Sequence, residues 1–206
     1  MFITISRQYA AGGSAVAGLV AEALGWTVID DAFIGRLSER SGLAPDDVAS
    51  LEERVPTFLE RLAQSTALSF PEYLSSTPEV MEEPGELKLA KMSRQLVAEL
   101  GRRNRMVLVG RASAAVLARE SDALHVRVVA SEAYRIRNAI EHLGISEAEA
   151  PRTLETTDRN RERYHREVYA RDWSDPSLYH MVLNTELLGV DGAAKVIEAR
   201  ARDLGW

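Results

Sequence analysis

The chain has no cysteine among its 206 residues, which excludes disulfides, a thiolate nucleophile and a Cys-bound zinc. It also lacks a long apolar run. Phe2–Ile5 is too short for a secretory h-region or a membrane span and reads as a strand. A cytoplasmic location with no membrane partner is the default expectation. The four histidines, His125, His142, His165 and His180, have no metal-ligand spacing, and neither an HExxH run nor a Ser-His-Asp order is present. A net charge of −6 argues against non-specific nucleic-acid binding.

The charge that is present is unevenly spread. Residues 44–86 hold ten acids and only Arg54 and Arg61 as bases, whereas Arg152–Arg171 holds six arginines against four acids. A solvated helical face accounts for either run. Phosphate chemistry is the alternative for the second.

The stretch around which the chain is organised is FITISRQYAAGGSAVAGLVAEA, residues 2–23. Phe2–Ile5 is apolar and β-branched, as a buried parallel strand is. From Ser14 onward Val16, Leu19, Val20, Ala23 and Leu24 recur at helical spacing. Between them lies a turn with two glycines. A strand, a glycine turn and a helix leave main-chain N–H groups unpaired at a helix N-terminus, where the dipole also favours an anion.

The pattern G-x-x-x-x-G-K-[ST] is the phosphate loop of nucleotide-binding proteins. Here the corresponding run is Arg7-Gln8-Tyr9-Ala10-Ala11-Gly12-Gly13-Ser14. The second glycine and the serine remain, but the first glycine is Arg7 and the lysine is Gly13. If the loop holds phosphates, the donors are the amides of Ala10, Ala11, Gly12, Gly13 and Ser14, and the Ser14 hydroxyl is the candidate ligand for Mg²⁺. Another cation must then replace the lysine. Arg7 and the cluster Arg159, Arg161 and Arg163 are the candidates. A turn needed only for close strand–helix packing is the alternative.

Further strands are expected at Trp26–Ile29, Met106–Val109, Ala123–Val129 and His180–Asn184, alternating with helices. That alternation predicts an α/β fold with a parallel sheet and helices on both faces. Ligands of such sheets sit beyond the carboxyl ends of the strands. This topological rule collects Arg7–Ser14, Asp30–Asp31, Gly110–Arg111, Ala130–Ser131 and Asn184–Thr185. Arg111 offers a guanidinium fork suited to a phosphate or a base edge. Asp30 can accept from a ligand hydroxyl, hold a metal-bound water or cap the following helix. Asp158 and Arg161, at i and i+3, can pair on a helix, and Arg159 and Arg163 share another face. Arginines on a closing helix would reach a transferring phosphoryl group and exclude water. Tyr164, Tyr169, Trp173 and Tyr179 are expected to pack that helix and the last strand.

Six runs resemble the cytidylate kinase-like proteins, a branch of the P-loop nucleoside monophosphate kinases. They are ITISRQYAAGG, TVIDDAFI, MVLVGRASAAVL, LHVRVVASEAYRIR, TTDRNRERYHREVY and DWSDPSLYHMVLNTELLGVDGAAKVI, in the expected order and covering nearly everything outside about 44–90. The resemblance implies a three-layer P-loop fold over residues 1–206 with a five-stranded parallel sheet. It also implies an acidic helical nucleotide-binding insert at about 42–90 and an Arg-rich lid at about 146–172. The implied activity is ATP- and Mg²⁺-dependent phosphoryl transfer to a nucleoside monophosphate. In that family the Asp after the second strand and the Arg after the third serve the monophosphate, and these match Asp30 and Arg111. Asp158 and Arg161 match the lid pattern. The acid that follows the Arg in cytidylate kinases is Ala112 here, and the Arg that usually follows the glycine pair is Ser14. A nucleotide-binding regulatory protein, a kinase of another small hydroxyl compound, and a homodimer are alternatives that the sequence leaves open.

Overall fold

Apolar residues alternate with polar ones in the strands FITISR and ALHVRVV, and this alternation decides what each face of the sheet does. The structure, a computed structural model, describes residues 1–30, 92, 94–100 and 105–206. Strand β1 (Phe2–Arg7) is followed by helix α1 (Gly13–Leu24) and strand β2 (Thr27–Ile29). A helical segment at 94–100 precedes β3 (Met106–Val109), the one-turn helix α2 (Ser113–Val116) and β4 (Ala123–Val129). Then come α3 (Glu132–Leu143), α4 (Ala150–Tyr169), a 3₁₀ turn at Pro176–Leu178, β5 (Met181–Asn184) and α5 (Thr185–Asp203). The five strands form one sheet in the order β2-β3-β1-β4-β5, and every pairing is parallel. The expected insert at about 42–90 and Asp31 lie outside the described residues. Among the described residues no helix is long and apolar enough to cross a membrane.

Period-two alternation sends Ile3 and Ile5 of β1 with Leu124, Val126 and Val128 of β4 to one face. There they pack with Val16 and Val20 of α1 and Ala193 and Ile197 of α5. On the other face Phe2, Leu108 and Ala123 meet Leu96, Val97 and Leu100 of the helical segment. That second face also carries Thr4, Ser6, His125 and Arg127, all buried. Towards the carboxyl ends of β1 and β4 the second face is therefore polar.

Several boundaries differ from expectation. β1 runs on to Arg7, because β4 is long enough to pair Ser6 with Arg127 and Arg7 with Val128. The loop thus begins at Gln8. After β3 the chain makes only one helical turn, Ser113–Val116. The last helix starts at Thr185, capped by the Asn184 side chain, and is broken at Gly189 (φ 70°, ψ 165°).

Candidate functional site

The loop from Gln8 to Gly12 is held by its carbonyls. Arg161 Nη1 donates to the Arg7 carbonyl at 2.9 Å. Arg135 Nη1 donates to that of Tyr9 at 3.3 Å. Asn138 Nδ2 donates to that of Ala10 at 2.7 Å, and the buried Thr185 hydroxyl to that of Ala11 at 2.8 Å. Four side chains from α3, α4 and α5 thereby fix the acceptors, so the remaining donors of the loop point elsewhere. Helix α1 has no side-chain cap, and its N-cap residue Gly12 is left-handed (φ 79°). The amides of Gly12, Gly13 and Ser14 donate to no described residue. Unpaired first-turn donors at the positive end of a helix dipole make an anion site. The Ala11 amide is engaged inside the loop, with the Gln8 carbonyl at 3.2 Å.

Asp30, at the end of β2, faces this loop. Its carboxylate accepts from the Ser14 hydroxyl at 2.8 Å and lies 3.8 Å from the Arg7 guanidinium. Arg7 leaves the end of β1 and its side chain lies across Gly13 towards Gly110. Asp158 on α4 accepts the Tyr9 amide at 2.8 Å and pairs with Arg135 at 2.6 Å and Arg161 at 3.5 Å. Helix α4 is thus tied to the end of β1 and the turn that follows it through both Asp158 and Arg161.

Next to the loop lies a cavity of about 150 Å³. Its floor is Ser6 and Arg7 at the end of β1, one wall is Gly110–Ala114 after β3, and its roof comes from Asn160, Arg161 and Tyr164 of α4. Arg111 (φ 53°) and Ala112 (φ 48°) are both left-handed, directly after left-handed Gly110. Such backbone costs non-glycine residues of order 1–2 kcal/mol each. It turns the chain sharply back so that Arg111 lines the cavity.

The remaining expected residues divide. Arg163 is half-buried and bonds Asn160 at 3.3 Å. Arg159 is 69% exposed, pairs with Glu155 one turn away and does not line the cavity. The structure also brings in Arg127, which sequence reasoning did not single out, and shows what Trp173 and Tyr179 pack against. Arg127 is 4% exposed and stacks 4.1 Å from the centre of the Trp173 ring, while donating to the Trp173 carbonyl. The Trp173 indole N–H and the Tyr179 hydroxyl both reach the Ser6 hydroxyl, at 2.8 and 3.3 Å. His165 lies beneath this group; burial first, then the nearby Arg127 and Arg171 charges, push its pKa down to about 4. It is therefore neutral at pH 7. An arginine inside a strand pattern, Arg127, was the visible signal of this buried polar cluster.

The chain matches the cytidylate kinase-like family over residues 2–187. No curated protein matches. Among solved structures it is similar to an uncharacterized protein from Eubacterium ventriosum ATCC 27560, with TM-score 0.69, 16% identity and 98% of each chain covered. It is also similar to shikimate kinase from Bacteroides thetaiotaomicron, with TM-score 0.57, 13% identity and 98% of each chain covered. A third is shikimate kinase from Acinetobacter baumannii in complex with shikimate, with TM-score 0.50 and 13% identity over 98% of this chain and 93% of that one. At these identities the likeness concerns the fold, which is the P-loop kinase fold. With the match extending over most of its length, the chain belongs to the cytidylate kinase-like family.

Proposed function

We propose that this protein transfers a phosphoryl group from ATP to a nucleoside monophosphate. One observation carries the reading: the strand end that feeds the anion-binding loop, Ser6–Arg7, is also the floor of the cavity, and Arg111 lines that same cavity. A triphosphate gripped by the loop would then end beside an acceptor held in the cavity.

The residues fit the two implied groups. The amides of Gly12, Gly13 and Ser14, which have no partner among the described residues, suit phosphate oxygens. The Ser14 hydroxyl and the Asp30 carboxylate, 2.8 Å apart, are the hard oxygen donors that Mg²⁺ takes, directly or through its waters. When bound, Mg²⁺ neutralises charge on the phosphates. The chain's own residues do the rest. Arg111 would hold the acceptor phosphate through its fork. Arg7 and Arg161 would stabilise charge on the transferring group, while Asp158 keeps the loop in shape. Tyr164 and α4 would exclude water. Catalysis here needs positioning and charge, with no covalent enzyme intermediate.

A second reading, nucleotide binding without turnover, is favoured by Gly13, which places no ammonium on the loop. A coupled ADP-release assay over CMP, dCMP, UMP, AMP, GMP and shikimate separates the alternatives. Turnover with CMP or dCMP supports the proposal. Turnover with shikimate alone supports a kinase of another hydroxyl compound, and ATP binding with no turnover on any acceptor supports the second reading.

A further inference from the structure

The two departures of the phosphate loop from its pattern, Arg for the first glycine and Gly for the lysine, sit at positions 7 and 13. In space they are one site. A Cβ built on Gly13 would stand 2.6 Å from the Arg7 Cβ and 2.8 Å from its Cγ. Carbon atoms in ordinary contact are about 3.5–4.0 Å apart. The offending atoms are the root of the Arg7 side chain, fixed by the β1 backbone, so no change of rotamer removes the Cβ. Only a glycine at position 7 leaves room for any side chain at position 13.

The converse also holds. With position 13 bare, the Arg7 stem lies over it, its Cδ still only 3.6 Å from the vacant Cβ position. From there the guanidinium reaches the gap between Gly110 and Asp30, with Nη2 3.8 Å from the Asp30 carboxylate. Asp30 is also bonded to Ser14, the residue next to the lysine position. A side chain starting from residue 7 therefore issues from nearly the same point as one from residue 13 and arrives at the same end of the loop.

We propose that Arg7 and Gly13 are a single coupled exchange: the cation of the phosphate loop has moved from helix α1 to the end of strand β1, and Arg7 performs the lysine's task. Asp30 orients it. This rests on the phosphate-loop reading above and deepens it. It assigns Gly13 a steric reason and Arg7 a ligand, the terminal phosphates of the triphosphate. It also explains how a loop without the lysine keeps a positive charge.

The experiment restores the ordinary pattern. R7G, G13K, R7A/G13K and R7G/G13K are each compared with the natural protein by melting temperature and by calorimetric affinity for Mg·ATP. R7G folds and loses roughly tenfold or more in affinity, the size of a lost charge-assisted contact. G13K melts lower by at least about 4 °C through overpacking. R7A/G13K remains low, because alanine retains the Cβ that clashes. R7G/G13K, which reads G-Q-Y-A-A-G-K-S, recovers both the melting temperature and the affinity to within about threefold. Natural-strength binding by R7G overturns the exchange while leaving the functional reading intact. So does a G13K substitution that lowers the melting temperature equally in the natural protein and in R7G. A natural protein that takes up no Mg·ATP overturns both.

Discussion

The carboxylate of Asp158, on helix α4, accepts the main-chain N–H of Tyr9 in the glycine loop at 2.8 Å. The same carboxylate pairs with Arg135 at 2.6 Å, and both side chains are largely buried. An arginine left there without its partner keeps a charge in a poorly solvated place. Asp158→Ala is therefore expected to cost about 2–4 kcal/mol in urea unfolding, and Arg135→Ala a similar amount. The double variant should cost clearly less than the sum. Additive losses would mean that the two act independently.

Thr185 serves the loop from the opposite side. The residue is 1% exposed, and its hydroxyl is the donor to the Ala11 carbonyl. Thr185→Val keeps the shape and removes the donor, so a buried carbonyl loses its partner. The expected cost is about 1–3 kcal/mol, and Thr185→Ser should recover most of it. A Val variant with an unchanged melting temperature would show that the loop does not depend on this bond.

Acid should destabilise the protein through its buried histidines. His165 and His125 both have pKa values pushed down to about 4, chiefly by burial, with the facing His180 charge adding at His125. Their unfolded values lie near about 6.5. Between those limits the unfolded chain binds protons that the folded chain refuses. Stability thus falls as pH drops from 6.5 towards 4, and this contribution is constant above and below that window. His165→Gln should flatten the acid limb of a stability–pH curve by about one proton. An unchanged slope would place the proton uptake elsewhere.

Two neighbouring arginines on α4 should behave differently. Arg161 lines the cavity and holds the Arg7 carbonyl. Arg159 points to solvent with Glu155. Arg161→Ala is expected to lower kcat/KM by roughly a hundredfold, as loss of a transition-state charge contact does. Arg159→Ala should stay within about threefold, since exposed pairs contribute little. Equal losses would return Arg159 to the site.

Much of this site was legible because it depends on local pattern. The glycine turn, the strand ends and the Asp158–Arg161 spacing are all short-range features, and the rule that ligands gather beyond parallel strand ends brought Arg7, Asp30 and Arg111 together. The sequence also showed that Asp158 and Arg161 could pair with each other. It did not show that they hold the Tyr9 amide and the Arg7 carbonyl, some 150 residues away. Arg135 and Asn138 escape a sequence reading for the same reason: nothing in their own neighbourhood records that a distant backbone needs donors, and Thr185, collected by its place after β5, carries no sign that it serves the Ala11 carbonyl. Arg7 was assigned to the loop because a polar residue after an apolar run reads as the end of a strand. Its pairing with β4 overrode that local signal. Arg127, Trp173 and Ser6 form their contacts only once β1, β4 and the segment before β5 are assembled.

The most direct measurement is a calorimetric titration of the natural protein with Mg·ATP, repeated on Ser14→Ala and on Gly12→Glu. One site per chain is expected, weakened by the loss of the Ser14 hydroxyl and abolished by a carboxylate set among the loop amides. No heat from the natural protein at millimolar ATP, or binding that ignores both substitutions, would contradict it.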